Sequence, residues 1–500
     1  MPDTPHRLDH LLDRGAADAP ALTDRDRRLS YAELKAQVAA VAGSLKARIS
    51  PGDRVAVWLP KSVECVVLLF AIGRAGGVAV PLNPVLRAQQ VQHILSDSGA
   101  VLLISHRARA GGLADTACPV VLLEEGWAEL ANGSPADDSA TGGDALAALL
   151  YTSGSTGRPK GVMVTHRNLL VGARSVASYL GTSADDRVLS VLPLSFDFGL
   201  SQLTTAFHAG ASAVLLDYLT PRDVVQACAR HGITQLAAVP PLWVQLSALE
   251  WPAEAVGAMR TLSNSGGRLP VPTVKALRQL FPAARLHLMY GLTEAFRSTT
   301  LPPELADSHP ASIGRAIPEA EILVVGTDGA ITADGEPGEL VHCGPLVAQG
   351  YWQDAARTAE RFKPAPAGSA FGGMAVWSGD TVVRDADGLL TFVGRADETI
   401  KTMGTRVSPT EIEELAHQSG AVAAAVALGI ADALAGQKIR LVATAVPGLP
   451  EAEAEARLSA YFRREAAPFM QPSGVVWLDA FPVSANGKLD RAAIRERFGQ

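Results

Sequence analysis

The segment Ala148–His166 reads ALLYTSGSTGRPKGVMVTH, and the rest of the chain is best read outward from it. An apolar run with the composition of a strand passes directly into a stretch of Ser, Thr and Gly. Gly154, Gly157 and Gly161 permit backbone conformations and close approaches that a Cβ would forbid. The hydroxyls of Thr152, Ser153, Ser155 and Thr156, with the backbone N–H groups between them and the charge of Lys160, suit phosphate oxygens. A Gly/Ser loop alone is often only a surface loop. It is not a Walker loop, because Pro159 precedes the lysine where that motif needs Gly-Lys-Ser/Thr.

Upstream, short apolar runs alternate with helix-like segments. RVAVWLP from Arg54 and AVLLIS from Ala100 read as strands; SVECVVLLFAIGRAG from Ser62 and VLRAQQVQHILSDSG from Val85 read as helices. Downstream, RVLSVLPL, SAVLLDY, ITQLAAVP and RLHLMYG read as strands, with RDVVQACARHG and PTVKALRQLFP as the helices between them. This alternation predicts layered α/β structure with largely parallel sheets. After about residue 310, short strands with Gly/Pro/Asp turns take over, including a hairpin turn at Asp385–Gly388, and predict a small antiparallel or barrel-like unit. The tail after Gly394 returns to a mixture of helix and strand, as a small α+β domain would. The expected fold is therefore α/β and α+β. A large N-terminal domain holds two α/β sheet layers and a small β-barrel-like subdomain, and a small α+β domain follows. PAPAGSAFGG near residue 364 and ANGSPADDSATGGD near residue 131 are the expected mobile surface loops.

The 500 residues are 48% hydrophobic and 19% charged, enough apolar material for a large core. The net charge of −7 argues against broad nucleic-acid or anionic-membrane binding. A small anion held by local groups remains open. Cys65, Cys118, Cys228 and Cys343 have no metal-ligand spacing, as in a reduced, cytoplasmic protein. CVVLLFAIG at Cys65–Gly73 is too short to span a bilayer.

The stretch YTSGSTGRPKG resembles the signature of AMP-forming adenylating enzymes, the superfamily of acyl-CoA synthetases, peptide-synthetase adenylation domains and beetle luciferases. Four more segments agree in the family's order: YGLTEA from Tyr290, SGD from Ser378, GRADETIK from Gly394 and NGKLDR from Asn486. LSYAEL and GDRVAVWLP extend the resemblance toward the N-terminus. It implies an AMP-binding domain over residues 1–396 and a mobile C-terminal domain over 397–500, with ATP between them. Ser153 to Gly157, Thr152 and Lys160 would meet the phosphates, and Gly267 and Gly291 would border the nucleotide. Tyr290 would stack on adenine. Thr293 would contact the α-phosphate, and Glu294 would hold Mg²⁺, a hard cation that prefers oxygen ligands. Asp380 would accept bonds from the ribose hydroxyls, with Arg395 beside it. Leu288 stands where relatives commonly carry a polar residue, so a side-chain hydrogen bond to adenine would give way to backbone.

The chemistry this implies follows from charge. A carboxylate oxygen attacks the α-phosphorus of ATP and pyrophosphate leaves, so cations and oriented donors are the main catalytic resource. Lys488 in NGKLDR resembles the catalytic lysine that bridges carboxylate and phosphate. The tail would then swing about a hinge near Asp397 and present KTMGTRVSPTEIEE. Gly404 there would leave room for the pantetheine arm of CoA or a carrier protein. Ser408, Pro409 and Glu411 also read as a helix start with a capping box.

The acid is read from LPLSFDFGLSQLTTAF, Leu192–Phe207. Peptide-synthetase pocket positions carried over fall on Asp197, Phe198, Ser201, Ala238, Ser263, Ser265, Met289, Arg297 and Ser298, with Phe196 beside them. The whole combination resembles ligases of exosortase A systems, and also stand-alone enzymes that load an amino acid onto a carrier in trans. A non-catalytic relative is disfavoured by the intact Glu294, Asp380, Arg395 and Lys488. Asp197 lies between two aromatics, where a carboxylate needs a partner. A substrate ammonium, Arg297, or backbone N–H groups at a helix start would each serve. The expected acid is small and amino-bearing.

Overall fold

A computed structural model describes residues 6–113, 116, 118–136, 141–152, 159–395, 398, 400–402, 405–432 and 436–499. The opening segment lies in a six-stranded sheet. Arg54–Trp58, Val78–Pro81, Leu102–Ser105, Val120–Leu122 and Leu146–Thr152 pair in parallel, and Lys160–Thr165 closes the edge antiparallel. The central strands are apolar apart from Arg54 and Ser105 at their ends, without the polar alternation of a half-exposed sheet. The helix Val63–Arg74 packs against them; Ser62 caps it by accepting the Cys65 N–H at 3.2 Å.

A second sheet carries fourteen strands among the described residues. Its first part is parallel: Pro20–Asp24, Ser212–Leu215, Arg187–Ser190, Gln235–Ala238, Thr261–Asn264 and Arg285–Tyr290 lie side by side in that order. The turn-rich unit is continuous with this sheet. The short strand Thr299–Thr300 couples Arg285–Tyr290 to Ser312–Ala316, and the antiparallel strands Leu390–Arg395, Met374–Arg384, Pro337–Cys343 and Glu321–Val325 follow. The expected hairpin is present, with Gly388 at φ +77 and its N–H on Asp385 O at 2.9 Å.

From Ile400 the chain builds a separate five-stranded sheet with its own core around Ile412, Leu441 and Phe462, packed by the helices Pro409–Gln418 and Glu451–Glu465. Two local expectations change. Ser408 precedes the helix with Pro409 at its start, but its hydroxyl donates to Val393 O and makes no cap bond. The capping box gives way to a tie between tail and second sheet. The PAPAGSAFGG loop is anchored, since Ser369 Oγ and the Ala370 N–H both donate to Glu321. The other expected loop lies partly outside the described residues. The four cysteines are free and buried. Among the described residues, no helix is long and apolar enough to cross a membrane.

Candidate active site

Tyr290 ends a parallel strand, and its hydroxyl donates to Asp380 Oδ2 at 2.5 Å. Asp380 stands directly opposite Arg395 in the antiparallel pair, and Arg395 Nη1 comes within 3.7 Å of Asp380 Oδ1. That oxygen is buried and accepts no hydrogen bond within the protein. Burial raises the Asp380 carboxyl, and burial with the nearby Asp380 charge raises the Tyr290 phenol well above its ordinary value. Gly267, Tyr290, Gly291, Asp380, Arg395 and Lys488 line one cleft of about 630 Å³, and Leu288 lines it too.

Glu294 lies in the short 3₁₀ turn Thr293–Ala295, with Oε1 accepting from Tyr351 Oη at 2.6 Å. The ammonium of Lys160 lies 5.0 Å from the centre of the same Tyr351 ring. One aromatic thus stands between the lysine of the opening segment and the carboxylate of YGLTEA. Thr152 ends its strand beside them. Ser153, Gly154, Ser155, Thr156 and Gly157 lie outside the described residues, as do Asp397 and Gly404.

Lys488 lies in the turn between the last strand of the C-terminal sheet, Gly474–Trp477, and the helix Arg491–Phe498. Asn83 Nδ2 donates to Ala485 O at 2.7 Å and to Asn486 Oδ1 at 3.2 Å, across more than four hundred residues of chain. Gly487 adopts φ +76 in the resulting turn. The Lys488 ammonium reaches 4.3 Å from the Phe196 ring centre. Burial lowers its pKa, and Asp197 partly opposes that shift. The lysine passes Gly266, which has φ +81; a Cβ there would stand 2.6 Å from Lys488 Cε. Gly266 is the glycine whose missing side chain the lysine needs, while Gly267 borders the same cleft.

On the acyl side, Asp197 is the first residue of the helix Asp197–His208. Its Oδ1 accepts from Thr293 Oγ1 at 3.1 Å, and Arg297 Nη1 lies 3.6 Å from Oδ2. Arg297 covers Phe198 at 4.5 Å and donates to Ser265 Oγ at 3.4 Å. Ser298 Oγ meets His342 Nδ1 at 2.9 Å. A second, small cavity of about 30 Å³ is lined by Phe198, Ser201, Ser263 and Met289 of the expected set, while Ala238 is buried outside it. Met289 lines both cavities, so they share a wall.

Asn83, Gly266 and Tyr351 were not expected from sequence. The aromatic in the stretch GYW was the only hint, and no spacing ties it to Glu294.

Residues 11–352 match the family described as AMP-binding enzyme, and residues 411–488 match the AMP-binding enzyme C-terminal domain. The chain belongs to the AMP-binding enzyme family. This AMP-binding enzyme is 32% identical over 497 residues to a feruloyl-CoA synthase of Amycolatopsis sp, covering 97% of each chain. It is 33% identical over 488 residues to CymA of Salinispora arenicola, described as a probable non-canonical nonribosomal peptide synthetase; the match takes in 96% of this chain and only 6% of that much longer protein. Its fold is similar to that of ATP-bound MatB from Rhodopseudomonas palustris, with 28% identity, 99% of each chain covered and a TM-score of 0.89. The AMP-binding enzyme thus has the expected adenylate-forming fold, and the proteins it is similar to include acyl-CoA synthetases and much longer nonribosomal peptide synthetases.

Proposed function

We propose that this chain joins a small carboxylic acid to the α-phosphate of ATP, releases pyrophosphate, and passes the acyl group to a pantetheine thiol. One observation carries the reading. Lys488, from the far end of the chain, lines the Tyr290–Asp380 cleft and lies against the Phe196 ring, next to Asp197 on the acyl side. A cation there would meet both the attacking carboxylate and the phosphate oxygens on which charge grows. The open lone pairs of Asp380 Oδ1 suit ribose hydroxyls, and the Tyr290 ring suits the adenine face.

The residues fit a magnesium ion in a limited way. Among the described residues there is no group of three or more His, Cys, Asp or Glu side chains that could hold a metal. One carboxylate, Glu294, would therefore share the ion with phosphate oxygens, the usual arrangement for this cation. The ion would supply neutralising charge on the phosphates. The Tyr351 hydrogen bond fixes the Glu294 carboxylate. Thr293 spends its hydroxyl on Asp197 here and would turn it toward the α-phosphate.

The acceptor would be CoA or a carrier protein acting in trans, in the cytoplasm. The division at residues 396 and 397, a hinge at Asp397 and a passage beside Gly404 belong to the same proposal. Asp397→Pro would then spare adenylation and lower thioester formation; equal falls in both would move the hinge elsewhere.

An amino-bearing acid is the second reading. Its support is that Arg297 stands beyond hydrogen-bond range of Asp197, whose one side-chain bond comes from Thr293. The Arg297 guanidinium at 3.6 Å offsets part of the carboxylate charge, and an ammonium would supply the hydrogen bond that Arg297 does not make. The test of the main reading is pyrophosphate release and recovery of the acyl adenylate across a panel of acids, amino acids and their deamino analogues. Acid-dependent release is expected; release with no acid in the panel would end the reading.

A further inference from the structure

The small cavity behind Met289 has an unusual far wall. It is enclosed by the helices His166–Leu180 and Asp197–His208 and floored by strands that include Gln235–Ala238 and Thr261–Asn264. Thr205 lies one helical turn beyond Ser201, and Gln235 faces the cavity from the sheet. Both residues are buried, and neither Thr205 Oγ1 nor Gln235 Nε2 has a hydrogen-bond partner.

Their neighbours make these open groups specific. Threonine hydroxyls inside helices commonly bond back to the preceding turn. Thr204 does so, donating to Ser201 O at 3.4 Å, while Thr205 does not. Gln202, on the same wall, uses its whole amide: Nε2 donates to Leu189 O and Ala237 O, and Oε1 accepts from the Leu192 N–H. Gln235 is held by one end only. Its Oε1 accepts from Thr182 Oγ1 at 3.2 Å, and its Nε2 is left unpaired at a residue that lines the cavity. Buried polar atoms without partners are costly, so two on the wall of one cavity favour a guest that supplies the bonds.

We propose that this chamber reads an oxygen at the far end of the acyl chain, so that the acid activated is a short hydroxy- or oxo-acid. This rests on the activation chemistry proposed above. A hydroxyl would accept from Gln235 Nε2 and exchange a hydrogen bond with Thr205 Oγ1; a carbonyl would accept from both. An alkyl end would leave both groups unpaired. The volume, about 30 Å³, admits roughly two water-sized groups and has no room for an aromatic ring. Sites built to bond a substrate hydroxyl reject the analogue that lacks it far more strongly than apolar pockets reject a missing methylene.

The test uses the full chain with ATP and matched acids: β- and γ-hydroxybutyrate against butyrate, acetoacetate against butyrate, and threonine against α-aminobutyrate. The last pair keeps the amino question separate. Acid-dependent pyrophosphate release gives kcat/KM for each. The oxygen-bearing member of at least one pair is expected to win by on the order of a hundredfold. Thr205→Val with Gln235→Leu should erase that preference, and Thr205→Ser should keep it. Wild type that treats every pair alike, or prefers aromatic acids, overturns the inference. So does a Thr205→Ser variant that behaves as Thr205→Val does. Pyrophosphate release with no acid at all would instead overturn the activation reading on which this stands.

Discussion

Met289 lies between two cavities whose open polar groups would meet different ligands. In the nucleotide cleft Tyr290 donates to one oxygen of Asp380 with Arg395 beside it, and Asp380 Oδ1 and Asn264 Oδ1 are left open. In the inner chamber Thr205 and Gln235 are left open. The open groups of the cleft would serve a nucleotide that is the same in every turnover, and those of the chamber would serve the acid. Changes in the cleft should therefore lower the reaction of every acid by one factor, whereas changes in the chamber should alter which acid is preferred.

The largest expected effect falls on the boundary. Lys488→Ala should lower acyl-adenylate formation by on the order of a hundredfold or more, the scale of losing an electrostatic transition-state contact. Thioester formation from supplied acyl adenylate should change little. A loss that varies from acid to acid would assign the lysine to the chamber side of the comparison. Rapid-quench measurement of the two half-reactions separates these outcomes.

Gly266→Ala comes next. The backbone there has φ +81, and a Cβ would crowd Lys488 Cε. A left-handed residue other than glycine costs about 1–2 kcal/mol, so adenylation should fall about tenfold for all acids. Unchanged adenylation would mean that Lys488 reaches the cleft by another path.

Asn83→Ala removes two hydrogen bonds from the Lys488 turn. At about 0.5 kcal/mol for each, the low end for a typical bond, adenylation should drop roughly fivefold while thioester formation holds. If both half-reactions fall together, the contact supports the fold and not the docking of the tail.

The smallest effect is in pH. Burial lowers the Lys488 pKa, so its charge is lost at a lower pH than for an ordinary lysine at 10.5. Because the cation is the active form, kcat/KM for adenylation should decline on the alkaline side before pH 10.5, equally for all acids. Lys488→Arg should remove that decline, since a guanidinium stays charged. A decline that survives the change belongs to another group.

The same contrast explains what the sequence could reveal. Tyr290, Glu294, Asp380 and Arg395 sit in contiguous runs, YGLTEA, SGD and GRADETIK, so the family resemblance singled them out. The facing of Asp380 and Arg395 across an antiparallel register lay beyond it. Chamber residues come singly from separate helices and strands. Thr205 and Gln235 look like any polar residue in an apolar segment until the bonds of Thr204 and Gln202 are compared with theirs. Asn83 meets Ala485 only because two distant domains touch. At Ser408 the local helix-start pattern was outweighed by a longer-range acceptor, Val393 O. Asp197 is similar: three partners were compatible with its sequence, and the structure supplies Thr293 and Arg297 without any substrate.

The central claim is that a carboxylate oxygen attacks the α-phosphorus. The direct measurement is a complete turnover with an acid whose carboxylate carries heavy oxygen, followed by mass analysis of the nucleotide. Attack at the α-phosphorus forms the acyl–oxygen–phosphorus bridge, and thiol attack at the acyl carbon then leaves that oxygen on AMP. One heavy oxygen in AMP for each thioester formed is expected, and none in pyrophosphate. Heavy oxygen appearing in inorganic phosphate together with ADP, or in neither nucleotide nor phosphate, would contradict it.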